Sequence, residues 1–105
     1  MAEQIAFRMT LYPGLAEQYE KRHDEIFPEL AKALKDAGVS DYSIWHDPES
    51  NHLFGILTRT DEHTMDALPD TEIMKRWWVH MADVMETDAN NVPTQIPLNR
   101  VFLLP

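Results

Sequence analysis

The order of hydrophobic patterns along the chain predicts an α+β fold, a single antiparallel sheet with helices on one of its faces. Three observations carry this. Period-two alternation recurs in four short stretches, helical periodicity fills two longer ones, and they follow one another as β-α-β-β-α-β. Two helical regions on one face of a four-stranded antiparallel sheet is the split-βαβ, ferredoxin-like arrangement.

Each element has its own signal. Ile5, Phe7, Met9 and Leu11 alternate with Ala6, Arg8 and Thr10, the mark of a half-buried strand. Tyr12-Pro13-Gly14 is turn chemistry, and the helix after it runs to about Ala37, with Gly38 placed as its C-terminal cap. Pro28 breaks or bends that helix, because it lacks an N–H and clashes with the carbonyl four residues earlier. Val39 to His46 reads as a strand with Tyr42, Ile44 and His46 on one face and Ser43 and Trp45 on the other. Asp47 to Asn51 is a hairpin turn, and His52 to Thr58 is the next strand, with a bulge or a cleared space expected at Gly55. Met65 and Leu68 mark a short helix ended by Pro69, and a longer one runs from about Thr71 to Met85. Leu98 to Leu104 is expected to close the sheet. The strands carry apolar or aromatic residues on both faces, whereas the helices suffice for one. A second copy of the chain is the expected cover for the other.

Composition narrows the function. The 105 residues, 44% of them hydrophobic, make one domain over 1–105 with a small but real core. A net charge of −9, with no basic cluster, argues against nucleic acid and anionic membranes as partners. The absence of cysteine excludes disulfides, thiolate zinc sites and a cysteine nucleophile. No leader-like start and no membrane-length apolar run is present, so a soluble intracellular protein is expected. The histidines at 23, 46, 52, 63 and 80 form no HxxxH or HxH pair, so no metal site is expected, and no Gly-rich loop offers to hold a nucleotide cofactor.

The most informative stretch runs from Glu17 to Leu30. Leu15, Ile26, Leu30 and Leu34 form an apolar helical stripe, and Tyr19 and His23 fall on it, about 40° apart around the axis. A phenol and an imidazole thus stand where hydrophobes should point inward. A core tyrosine and a hydrogen-bonded core histidine would satisfy the same pattern. The second feature is Trp77-Trp78. Adjacent helical positions point about 100° apart, so one indole can pack in the core while the other projects into a cavity or rim. An indole offers a flat apolar face and one N–H donor, the equipment that recognises a sugar ring. Anomer exchange needs a proton delivered to the ring oxygen and one removed from the anomeric hydroxyl, and histidine suits such work near neutral pH.

Tyr19-Glu20-Lys21-Arg22-His23, Ile26-Phe27-Pro28-Glu29-Leu30, Gly38, Tyr42-Ser43-Ile44, Asn51, Leu53-Phe54, Arg76-Trp77-Trp78, Met81-Ala82-Asp83-Val84-Met85 and the ending Val101-Phe102-Leu103-Leu104-Pro105 together resemble the L-rhamnose mutarotase family over nearly the whole chain. The resemblance implies a ferredoxin-like homodimer of the dimeric α/β-barrel type. It implies interconversion of the α and β anomers of L-rhamnopyranose in cytoplasmic rhamnose catabolism, without cofactor. Position by position it makes His23 the proton donor and Tyr19, Tyr42, Trp77 and Trp78 the substrate contacts; His46 and His80 lie outside the pattern. Two alternatives share the fold: a cofactor-independent monooxygenase or haem-degrading enzyme, and a non-catalytic dimeric sugar-binding module.

Overall fold

Alternation along the first strand decides which side of the sheet receives the helices. In the computed structural model, which describes residues 2–105, β1 (Glu3–Thr10) buries Phe7 and Met9, and Leu11 just beyond its end is buried with them. β2 (Val39–His46) and β3 (His52–Arg59) form the hairpin, β3 pairs antiparallel with β1, and β4 (Ile96–Pro97) pairs antiparallel with β1. The sheet order is β2-β3-β1-β4, the ferredoxin-like order with the first and third strands in the middle. Phe7, Met9, Leu53 and Leu57 share one core with Tyr19 from α1 (Ala16–Asp24), Leu30 from α2 (Pro28–Asp36) and Trp77 and Met81 from α3 (Glu72–Met81). The opposite face of the sheet carries Trp45 and Phe54, which are register partners, with Ile56 beside them. Trp45 is 64% exposed there.

Pro28 separates two helices rather than bending one. It occupies the first turn of α2, where its missing N–H leaves no bond unmade. Phe27 before it is held at φ −56, ψ 124, outside the helical region, so α1 ends at Asp24. Gly38 at φ +95 follows the end of α2, as expected of a cap. Thr71 caps α3, its hydroxyl accepting from the Met74 N–H. That helix stops at Met81, four residues short of the expected end, and Val84 and Met85 are instead buried beside β1, where the Tyr12 N–H donates to the Val84 carbonyl at 3.0 Å. The short helix is a 3₁₀ segment, Met65–Asp70, with Pro69 inside it rather than after it.

The bulge lies in β2, not at Gly55. Asp41 and Tyr42 together face the place of a single β3 residue, with Ser40 opposite Thr58 and Ser43 opposite Ile56. Asp41 takes φ 49, the left-handed region that a bulge residue adopts. The extra residue puts Tyr42, Ile44 and His46 in phase with buried Val39, which is what aims Tyr42 at the helices. Gly55 keeps β3 regular and leaves its space to a ring: a Cβ there would stand 2.5 Å from Phe7 Cζ. Gly55→Ala should therefore lower stability by about 1–3 kcal/mol through overpacking. Urea unfolding checks it, and an unchanged midpoint would show that Phe7 is free to move.

The closing strand is shorter and earlier than expected. Only Ile96 and Pro97 pair, and the Leu98 N–H donates to the Ala6 carbonyl at 3.0 Å before the chain leaves the sheet. Val101, Phe102, Leu103 and Leu104 are exposed, Val101 at 96%. The reason is visible in the pattern: both alternating sets over 98–104 contain hydrophobes, and a single chain supplies no surface to cover either. Among the described residues, no helix is long and apolar enough to cross a membrane.

Candidate active site

α1 builds the first wall of the site from its i, i+4 pair. The Tyr19 and His23 rings lie 4.4 Å apart at 34°, and His23 Nδ1 is 3.0 Å from the Tyr19 carbonyl oxygen. A carbonyl oxygen only accepts, so Nδ1 carries the hydrogen and Nε2 is left with its lone pair. α3 supplies the second wall. The Trp77 indole meets His23 edge-on at 5.3 Å, and Phe27, from the break between α1 and α2, meets Trp77 edge-on at 5.2 Å. Trp77 is 7% exposed while Trp78 is half-buried, the division of labour expected of adjacent helical positions. β2 supplies the third wall through Tyr42, whose ring stands edge-on to Phe7 at 6.2 Å.

Tyr19, His23, Tyr42, Trp77 and Trp78 all line one cavity of about 1060 Å³ between the helices and the sheet. That is just above the usual size for a small-molecule site, about 300–1,000 Å³. The structure thus brings together every sequence-predicted site residue. Among the described residues, no protein partner meets the Tyr19 hydroxyl, the Tyr42 hydroxyl, His23 Nε2 or the two indole N–H groups. Nor, among the described residues, is any buried side-chain polar atom left unpaired, so these ends reach accessible space rather than dry core.

Burial sets the protonation states. It pushes the His23 imidazole below the ordinary histidine value, outweighing the opposing pull of the Tyr19 carbonyl and the Asp24 carboxylate. It raises the Tyr19 phenol strongly, and the nearby Tyr42 phenol adds to the rise. Tyr42 lines the cavity, and desolvation of its phenol there pushes it up to about 12. At neutral pH the site therefore holds a neutral imidazole and two protonated phenols.

The remaining histidines separate. His46 reaches the same cavity, its Nε2 donating to Asn51 Oδ1 at 3.2 Å. His80 is exposed and stacks obliquely on Phe27 and Trp77, outside the cavity lining. Among the described residues, no group of three or more His, Cys, Asp or Glu side chains is arranged to hold a metal ion. Arg22 is a supporting residue with no sequence signal beyond adjacency to His23. Its guanidinium donates to the His80 carbonyl at 2.6 Å and to both Asp83 carboxylate oxygens, tying α1 to the end of α3 and holding the Asp83 carboxyl below its ordinary value.

The fold and this lining define a ferredoxin-like α+β protein with an aromatic, acid–base-equipped small-molecule cavity. Comparison with known proteins gives the class a family. Residues 4–104 match the family model described as L-rhamnose mutarotase. Proteins called L-rhamnose mutarotase from Acidiphilium cryptum and Paraburkholderia phytofirmans are 58% and 57% identical, the alignments covering 98% and 97% of this chain and 99% and 95% of those proteins. The crystal structure of an L-rhamnose mutarotase from Formosa agariphila superposes with a TM-score of 0.91 at 43% identity, covering 98% of this chain and 99% of that one. A Pseudomonas aeruginosa structure at TM-score 0.58 and 19% identity shares the fold alone. The chain belongs to the L-rhamnose mutarotase family.

Proposed function

We propose that the protein interconverts the α and β anomers of L-rhamnopyranose by opening and reclosing the sugar ring. One observation carries the reading: in a member of this family, unpartnered phenol, imidazole and indole ends converge on a single aromatic-walled cavity. His23 handles the protons and is the proton donor. Tyr19, Tyr42, Trp77 and Trp78 hold the ring, apolar faces against its C–H surfaces and polar tips on its hydroxyls. Among the described residues, no side-chain cluster is arranged to hold a metal ion, and the reading needs no cofactor. The monooxygenase, haem and binding-module alternatives gain nothing from the relatives, which carry the mutarotase name.

Saturation transfer between the anomeric protons of L-rhamnose tests this. Micromolar protein should accelerate the transfer well above the buffer rate. Thermal stabilisation by the sugar with no acceleration would leave a binding module and sink the reading.

The same reading carries a homodimer, at work in the cytoplasm on a catabolic sugar. Support for the dimer comes from the sheet face without helices, where Trp45 and Ile96 are exposed, and from the exposed apolar tail Val101 to Leu104. Sedimentation at micromolar concentration should return about twice the mass of one chain. A monomer with full activity would defeat the dimer and leave the chemistry standing.

A further inference from the structure

The helix that carries Tyr19 and His23 is thinly supported. Ala16, Tyr19, Glu20, His23 and Asp24 of α1 all line the cavity, so one face of the helix overlooks open space, and its backbone runs close along no other element. His23 stands in its last turn, and a helix of nine residues is too short to stay rigid without tertiary contacts. We propose that Arg22 is a positioning residue for anomer exchange: by clasping the end of α3, its guanidinium fixes where His23 stands over the sugar. The assignment rests on the mutarotase reading and deepens it, adding a residue that acts through His23 and does not touch the substrate.

Successive helical positions point about 100° apart, so Arg22 leaves the cavity face that His23 occupies and reaches α3. Its Nη1 donates to the His80 carbonyl at 2.6 Å and to Asp83 Oδ1 at 2.6 Å, and its Nη2 donates to Asp83 Oδ2 at 3.2 Å. Gln18, one turn back on α1, accepts from Arg22 Nε at 3.2 Å with its amide oxygen turned toward the guanidinium. Among the described residues, no other hydrogen bond joins α1 to another element.

The clasp falls where α3 has acceptors to spare. A helix runs out of backbone donors in its last turn, and His80 lies in that turn of α3. The Val79 and Met81 carbonyls take the N–H groups of Ala82 and Val84, and the His80 carbonyl takes the guanidinium. Three residues before His80 stands Trp77, whose indole meets the His23 ring at 5.3 Å. Arg22 and Trp77 thus locate one imidazole against one end of α3. The chain entering α1 is already held to the same segment, by the bond from the Tyr12 N–H to the Val84 carbonyl. Arg22 secures the other end.

Stability alone does not account for the clasp. The Asp83 side chain is 71% exposed, and an ion pair so open to water adds little to folding. The fork adds direction: paired bonds to a carboxylate set orientation as well as distance, which a lysine ammonium cannot do. Proton transfer is sensitive to that orientation, and a misplacement of about 1 Å costs about 10²-fold in rate.

Arg22→Met and Asp83→Ala cut the clasp from its two sides in the intact protein. Arg22→Met should lower kcat for anomer exchange by about 10²-fold and Asp83→Ala by about tenfold, with KM within a few-fold and melting temperatures close to the parent's. Arg22→Lys, which keeps the charge without the fork, should recover only part of the rate. The imidazole proton resonances of His23, set by the ring currents of Tyr19 and Trp77, should move in both cut variants while those of His46 on β2 stay in place. If kcat holds within a few-fold in both, or Arg22→Lys restores it fully, the clasp does not position His23. A rate that falls only in step with the folded fraction, or His23 and His46 resonances that shift together, would make the clasp structural and overturn the assignment equally. If Arg22→Met does not fold, Asp83→Ala decides, since its change lies at an exposed side chain. A parent protein without exchange activity would remove the mutarotase reading itself, a separate failure, with the His23 resonances still reporting on the clasp.

Discussion

Replacing His23 by Asn should slow anomer exchange by ~10²–10⁴-fold, or roughly 3–5 kcal/mol of transition-state stabilisation. Asparagine keeps a polar side chain of similar reach but has no titrating nitrogen. The walls made by Tyr19, Tyr42, Trp77 and Trp78 stay in place, so KM should move only a few-fold. Stability should respond to pH in the opposite sense to rate loss by misfolding. The folded-state pKa of His23 is depressed, so the unfolded chain binds more protons as pH falls below about 6.5. The parent's stability from this group is complete above that pH and is lost as pH falls through the depressed folded value; His23→Asn should lack this acid sensitivity. Denaturant midpoints at several pH values, set beside NMR exchange rates, separate the two effects. Turnover by His23→Asn within a few-fold of the parent would make His23 a core residue with no part in the chemistry.

Most of the site was legible in the sequence because it depends on local periodicity. The Tyr19–His23 stack follows from i, i+4 spacing, and the split between Trp77 and Trp78 from the 100° step of the helix. Alternation placed Tyr42 on one strand face with Ile44 and His46, but its assignment to the site came from the family resemblance alone. What the pattern missed is long-range. The bulge at Asp41 is a matter of pairing with β3, and nothing in β2's own alternation places it. Gly55 signalled a cleared space, but only the register shows that Phe7 fills it. Arg22 binds Asp83 across 61 residues, a contact with no periodic trace. The closing strand failed for a different reason. Alternation is informative when one set is polar, and over 98–104 neither set is, so the stretch could be counted as a strand without being anchored as one.

Trp77→Ala and Trp78→Ala should fail in different ways, although the residues are neighbours and line the same cavity. Trp77 is 7% exposed, packed between His23 and Phe27, so its loss leaves a large hole that these rings cannot refill. About 3–5 kcal/mol is the usual cost of such a truncation, against a total stability of about 5–15 kcal/mol for a small domain. Trp77→Ala should therefore melt far below the parent, and the rate should fall with it because the imidazole loses the edge that fixes its ring. Trp78 is half-buried, packed against the edge of the core and lining the cavity. Removing it should cost about 1–2 kcal/mol of sugar binding, roughly tenfold in KM, with kcat within a few-fold of the parent. Urea unfolding and exchange kinetics against sugar concentration read the two axes independently. If Trp78→Ala instead loses as much stability as Trp77→Ala while KM holds, both indoles are core residues, and the sugar's platform must be sought on the Tyr42 side of the cavity.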